Sequence, residues 1–395
     1  MTEGESSNLR LTVQNFRGVR QASWAPTGVS ALVGPNSSGK STLLEAFLFL
    51  HYAAKRTPKD ALNVSGGMQA LLYHSRDNRG SDNAVEPAQI RLTAELGIAS
   101  WSLEFSATND NVVPKYDEEI RLNNEEYTQA MGAGVDMPPL LAIGRYLEEA
   151  DQGTIRGNPF PKRTPEVAQL LERLKNLSLY RPWELQRFRR QPFSDPSLED
   201  ERLAPDGLNV FTVLQNWQNT IANGWRYEWV VKHLKQIHGQ YVSGLELRKG
   251  SGVLGARFYA PDDEIPLPIK AASNGILSTL LTLTAAAGAA NDGLILLDEP
   301  DNGLHPAAIR GIVKAFRTLH KQKNVHIVLA SHSPVLLNAF NDSPEDVWVT
   351  ELAHGASFPQ RLTDLRDPDW LANFRLGNLY GSGFGRQDPL SGSEE

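Results

Sequence analysis

Residues 34–41 read Gly-Pro-Asn-Ser-Ser-Gly-Lys-Ser, a complete G-x-x-x-x-G-K-[ST] pattern, and a second motif, Leu-Ile-Leu-Leu-Asp-Glu-Pro at 294–300, puts Asp298 258 residues after Lys40 (298 − 40). With Gly at about 7% of residues, the first pattern should arise by chance in roughly one chain of this length in a hundred, so its setting decides. The setting is the one it requires: Val-Ser-Ala-Leu-Val at 29–33 reads as a buried strand and 40–50 as a helix. Each motif adjoins an apolar strand, so both belong to one sheet. The long segment between them has to leave that sheet and return to it.

A strand, a glycine loop and a helix N-terminus make a phosphate site. Gly34 and Gly39 let the backbone curl so that N–H groups from 34–42 (Gly34, Pro35, Asn36, Ser37, Ser38, Gly39, Lys40, Ser41, Thr42) surround a phosphate, Pro35 lending no donor. Lys40 is then expected to bridge the β- and γ-phosphates of ATP, and the Ser41 hydroxyl to ligate Mg²⁺. The alternative is a glycine-rich turn that binds nothing.

With 395 residues, 41% of them hydrophobic, the chain can bury one large core or two smaller ones. Residues 1–8 are polar and acidic, unlike a signal peptide, and the tail 387–395 reads as flexible. The absence of cysteine excludes disulfides, thiolate zinc and Cys nucleophiles and fits a cytoplasmic protein. A net charge of −7 argues against a uniformly basic nucleic-acid coat but allows a local basic groove. Residues 271–291 carry no charge, yet Asn274, Gly275, Gly288 and several hydroxyls make them a buried helix rather than a membrane span.

Strands are predicted at 9–13, 29–33, 89–96 and 100–106, with a hairpin over 118–127 about Asn123-Asn124. Residues 138–240 are predicted to be a mainly helical insertion, periodic at 166–177 and 210–221, before strands at 244–249 and 255–259. From 271 the order is helix, strand (294–297), helix (306–319), strand (325–330), helix (334–340), strand (346–351). That alternation predicts a doubly wound parallel α/β core, split by the intervening segment.

Asp298 ends an apolar strand where open α/β sheets bind ligands and is the candidate Mg²⁺ residue. Glu299, next along, is placed to accept a proton from attacking water. A lone histidine is usually structural, but His332 in Ser-His-Ser-Pro closes the next predicted strand and so falls near the terminal phosphate. Ser273-Asn274-Gly275, 25 residues before Asp298 (298 − 273), reads locally as a helix N-cap.

Together these residues resemble the ABC-class ATPases, in the soluble RecF/SMC/OLD-like branch often described simply as AAA ATPases. The resemblance runs from Val-Gln-Asn-Phe-Arg-Gly-Val at 13–19 through Gly-Leu-Asn-Val at 207–210, Asp-Glu-Pro-Asp-Asn-Gly-Leu-His-Pro at 298–306 and Ser-His-Ser-Pro at 331–334 to Leu-Gly-Asn-Leu-Tyr at 376–380. It implies a P-loop NTPase head: an ATPase core with an antiparallel β lobe over 1–137, the insertion over 138–240, and the signature, Walker B and His switch over 241–386. It also implies a head-to-tail dimer or higher assembly in which Ser273, Asn274 and Gly275 cap the partner's ATP. Ala-Ser-Asn-Gly-Ile stands here where transporters have Leu-Ser-Gly-Gly-Gln, and Gln69 and Gln89 are candidates for the glutamine that joins the lobes.

The resemblance implies ATP hydrolysis coupled to nucleic acid or to a separate effector such as a nuclease, in anti-phage defence or DNA repair, with no membrane role. About 60 residues after Pro334 are too few for a fused TOPRIM nuclease. The alternatives are a transporter's ATPase subunit, against which the insertion and the Leu-His-Pro wording stand, and a non-hydrolysing scaffold. In 180–193, Arg181, Arg187, Arg189 and Arg190 interleave with aromatics. That mixture suits a solvated face over a core, a protein interface or a nucleic-acid backbone.

Overall fold

A computed structural model describes residues 8–73, 88–107, 115–122, 125–131, 164–250, 252–261, 265–351 and 356–381. The predicted loose start and tail, the hairpin turn at 123–124 and the first part of the 138–240 segment lie outside them.

Alternation of apolar and polar residues makes Arg10–Phe16 (β1) a half-buried strand that hides Leu11, Val13 and Phe16. It turns at Arg17, whose φ is 52°, into Val19–Trp24 (β2). Val29–Val33 (β3) is buried at all five positions, as a strand covered on both faces must be, and leads into Lys40–Lys55 (α1). Thr57 caps Pro58–Val64 (α2) by accepting the Asp60 N–H at 3.0 Å. The Leu71 carbonyl of Met68–Leu71 (α3) then accepts the Arg17 N–H at 2.6 Å, pinning the β1–β2 turn.

Ala88–Leu96 (β4), Ala99–Ala107 (β5), Lys115–Leu122 (β6) and Glu125–Met131 (β7) continue β1 and β2 as an antiparallel lobe. Its inner face, with Leu92, Trp101, Leu103 and Phe105, closes over the aromatic side of α1. There Phe49 meets Phe105 edge to face at 5.5 Å.

Thr164–Lys175 (α4) packs on α1, and Leu177–Tyr180 (β8) joins the core sheet. The chain continues through Leu185–Arg190 (α5), Val210–Asn219 (α6) and Gly224–His238 (α7), then Gly244–Gly250 (β9), Val253–Tyr259 (β10) and Leu267–Pro268 (β11) in a small antiparallel sheet. Asn274–Ala287 (α8), Leu294–Asp298 (β12), Pro306–Lys323 (α9), His326–Ser331 (β13), Pro334–Leu337 (α10) and Val347–Val349 (β14) complete the core. Ala356–Ser357 (β15) edges the antiparallel lobe, and Gln360–Arg361 (β16) edges the core.

The core order is β16-β14-β3-β13-β12-β8, parallel except at β16. Successive residues feed opposite faces: Ile295, Leu297, Ile327 and Leu329 pack toward the helices α6 to α9, and Leu294, Leu296, Val328 and Ala330 toward α1 and the antiparallel lobe. Within the segment 138–240, predicted to be mainly helical, the structure adds the edge strand β8 of the core sheet and packs α4 on α1; the four-residue Leu-Ser-Leu-Tyr run is too short to declare itself as a strand in the sequence. Residues Ile276 to Ala287 of α8 are all buried in the protein, and among the described residues no helix is long and apolar enough to cross a membrane.

Two histidines, buried His51 and half-buried His326, are held by backbone groups in this frame. His51 Nδ1 donates to the Leu174 carbonyl at 2.8 Å and His326 Nδ1 accepts the Gly28 N–H at 3.0 Å; burial, the largest cause, pulls both pKa values from 6.5 to about 4. Between pH 6.5 and 4 the unfolded chain binds protons that the native protein refuses, so stability is full above about pH 6.5 and falls as pH is lowered toward 4. Denaturant titrations should show a loss approaching about 1.4 kcal/mol per pH unit for each histidine across that window. A His51→Gln, His326→Gln variant should show a shallower slope; an unchanged slope would assign the acid sensitivity elsewhere.

Candidate nucleotide site

The loop after β3 is shaped by its neighbours. A Cβ on Gly34 would fall far inside contact distance of the Thr350 carbonyl and 2.7 Å from Ser38 Oγ, so only glycine fits. Gly39 (φ 91°) and Ser37 (φ 64°) take the left-handed turns that curl the loop. Lys40 is 8% exposed and its Nζ donates to the Gly34 and Pro35 carbonyls at 2.8 and 2.9 Å. Burial lowers its pKa, opposed by Asp298 and Glu299.

The second motif meets this loop because β12 and β3 flank β13. Asp298, at the carboxyl end of β12, accepts a hydrogen bond from Ser41. Burial raises its pKa and Glu299 adds to the rise, while the Ser41 bond and Arg181 oppose it. Glu299 has a φ of 47°, yet its N–H bonds the Ala330 carbonyl at 2.8 Å. Such a backbone costs of order 1–3 kcal/mol and persists where the surroundings hold it. Its carboxylate is held on both sides, by His332 Nδ1 at 2.9 Å and by Asn302 Nδ2 at 3.2 Å. The His332 turn is tied in turn: Ser331 Oγ donates to Asp301 at 2.8 Å and accepts the Ser333 N–H at 2.9 Å.

The fold thus gathers Lys40, Ser41, Asp298, Glu299 and His332, with 34–42 around them. Ser273, Asn274 and Gly275 stand elsewhere, at the N-terminus of α8, where Ser273 caps the helix by accepting the Ile276 N–H at 3.3 Å. Arg189 holds that segment, donating to the Ala272 carbonyl and Asn274 Oδ1 at 2.7 Å each, and to the Lys270 carbonyl. Behind it His238 Nε2 meets Thr279 Oγ1 at 2.9 Å, and Thr279 donates to the Gly275 carbonyl at 2.7 Å.

The arginines of 180–193 accordingly do not form one free basic stripe. Arg181 pairs with Glu45 at 2.7 Å, Arg187 with Asp206 at 3.6 Å, and Arg189 serves the α8 terminus. Gln69 and Gln89 lie on exposed positions of α3 and β4, and neither lines the cleft beside Asp298 and Glu299. Sequence reasoning missed Asn302, Asp301 and Thr350, whose roles depend on chain segments meeting in space. It also missed Glu45, although its place four residues after Ser41 puts it on the same helix face.

The donor set suits Mg²⁺ accompanying a nucleotide. Ser41 and Asp298 offer hard oxygen ligands, and Mg²⁺ is commonly held by one or two carboxylates with substrate phosphates completing its shell. No group of three or more His, Cys, Asp or Glu ligands occurs among the described residues.

A phosphate loop after β3, an acidic pair at the end of β12 and an antiparallel lobe over a split parallel core define a P-loop NTPase fold. The family described as "AAA domain, putative AbiEii toxin, Type IV TA system" matches residues 29–338, and the chain belongs to it.

The chain is also 33% identical over 85 residues to the energy-coupling factor transporter ATP-binding protein EcfA2 of Ligilactobacillus salivarius (strain UCC118), a match covering 21% of this chain and 28% of that protein. Similar solved structures include an Smc head bound to the C-winged helix domain of ScpA (14% identity, 89% of this chain and 96% of that one, TM-score 0.45). Another is the Smc head with an extended coiled coil bound to the C-terminal domain of ScpA, derived from Pyrococcus furiosus (13%, 89% and 95%, TM-score 0.45). A third is the SMC head domain from Thermotoga maritima (12%, 90% and 98%, TM-score 0.41).

Proposed function

We propose that the protein binds ATP with Mg²⁺, hydrolyses it, and uses the cycle to close and open a head-to-tail dimer or higher assembly that controls a separate effector, such as a nuclease, or acts on nucleic acid. The observation that carries this is the meeting of Lys40, Ser41, Asp298, Glu299 and His332 at the carboxyl ends of β3, β12 and β13, with Glu299 held in a left-handed backbone. Loop N–H groups and Lys40 hold the phosphates, and Ser41 and Asp298 hold Mg²⁺, which when bound neutralises phosphate charge. Glu299 takes the proton of the attacking water, and His332 fixes the position of that carboxylate. Exposed Ser273 and Asn274 and half-buried Gly275, at a helix N-terminus, serve the terminal phosphate bound by a partner copy.

The toxin–antitoxin wording of the family supports a controlled effector in defence; the EcfA2 likeness supports a second reading, a transporter's ATP-binding subunit. ATP turnover by the full chain, beside Lys40→Ala, with and without single- and double-stranded DNA, tests the proposal. Turnover lost in Lys40→Ala is the expected result, and its enhancement by DNA selects the nucleic-acid branch. DNA-indifferent turnover selects the protein effector, and no turnover in the wild type overturns hydrolysis.

A further inference from the structure

β8 runs parallel to β12 with Tyr180 opposite Leu297, so the next residues, Arg181 and Asp298, leave the sheet side by side. Strands are about 4.8 Å apart, well within the reach of an arginine side chain. Arg181 lines the cleft that also contains Asp298, Glu299 and Asn302. Its guanidinium is held there by Glu45, on the Ser41 face of α1, at 2.7 Å. The other Glu45 oxygen takes Arg17, from the β1–β2 turn, which lies against the loop: a Cβ on Gly18 would be 4.0 Å from Thr42 Oγ1.

Two arginines thus share one carboxylate beside the phosphate loop. The Arg181 side chain is 56% exposed, so its pair with Glu45 contributes little to stability. Placement is what the pair achieves. Arg181 is also close enough to Asp298 to oppose the rise in that carboxyl's pKa.

We propose that Arg181 recognises the terminal phosphate of ATP bound in the same chain, with Glu45 holding it in position. The proposal rests on the nucleotide reading above and adds a residue that separates triphosphate from diphosphate. An arginine fork suits a phosphate that carries several free oxygens, and ADP lacks the group it would grip.

The test is titration of the full chain with fluorescent N-methylanthraniloyl ATP and ADP in Mg²⁺, comparing wild type, Arg181→Ala, Arg181→Lys, Glu45→Gln and Lys40→Ala. Arg181→Ala should weaken ATP about tenfold, the scale of one hydrogen bond to a charged group, and ADP less than twofold. Arg181→Lys should recover part of the ATP affinity, Glu45→Gln should lose a smaller part, and Lys40→Ala should lose both nucleotides. Equal losses for ATP and ADP, or none, with Lys40→Ala still defective, would overturn the role of Arg181 alone. Wild-type protein that binds neither nucleotide would overturn the nucleotide reading itself. An unchanged thermal midpoint for Arg181→Ala is expected from its exposure, and a lowered one would assign the residue to structure.

Discussion

Glu299→Gln is expected to lower steady-state ATP turnover roughly 100- to 10,000-fold, the usual contribution of a positioned general base, while ATP affinity changes by no more than a few-fold. The substitution keeps the size of the side chain, and an amide can still meet His332 Nδ1 and Asn302, now 2.9 and 3.2 Å from the carboxylate. The left-handed backbone at φ 47° is retained in the variant, so its cost is common to both proteins. What is removed is the ability to take a proton. If the dimer closes on ATP and opens on hydrolysis, the variant should accumulate as an ATP-dependent dimer by light scattering. Turnover close to wild type would show that the base is another group. Persistent ATP binding without dimer accumulation would refute closure and leave the chemistry standing.

Gly34→Ala should be the more damaging change to the molecule as a whole. Its new methyl would be driven into the Thr350 carbonyl and sit 2.7 Å from Ser38 Oγ. That carbonyl cannot retreat freely, because the Thr350 N–H is bonded to the Val33 carbonyl at 2.8 Å and the Thr350 hydroxyl to the Ser38 carbonyl at 3.3 Å. Overpacking against held backbone belongs at the upper end of its usual range, about 3 kcal/mol by urea denaturation. The loop that yields is the phosphate loop, so nucleotide affinity should fall at least about tenfold with stability. Gly250→Ala is the matched control: a Cβ there meets nothing within 4 Å, and a change within about 0.5 kcal/mol is expected. Equal behaviour of the two variants would mean that the approach of Thr350 does not restrain the loop.

Much of the site was legible because its chemistry is local. The glycines of 34–41 need left-handed turns or close approach, and Lys40 must follow them at a helix N-terminus to face a phosphate. Asp298 and Glu299 end an apolar run that is buried from Leu294 to Leu297, as a central strand is. His332 was legible only by analogy with its neighbours, and the geometry adds the bond to Glu299 that a Ser-His pair does not announce. The arginine-rich stretch was ambiguous for a physical reason. A guanidinium serves a solvent face, a nucleic acid or a carbonyl cluster equally well, and the choice depends on what lies opposite, which for Arg189 is the N-terminus of α8.

Sequence by itself determined the elements whose signal lies within one turn or one strand: the phosphate loop, the buried strands β3, β12 and β13, the uncharged helix α8 and the antiparallel pair β4 and β5. Tertiary structure alone decided that β8 edges the core, that Thr350 makes Gly34 obligatory, and that Arg17 and Arg181 share Glu45 beside the loop. Those contacts join residues 28 to 316 positions apart (45 − 17 and 350 − 34). Periodicity and motif spacing report a residue's neighbours along the chain. Which distant backbone or charge comes to stand against it is set by packing both faces of one sheet at once.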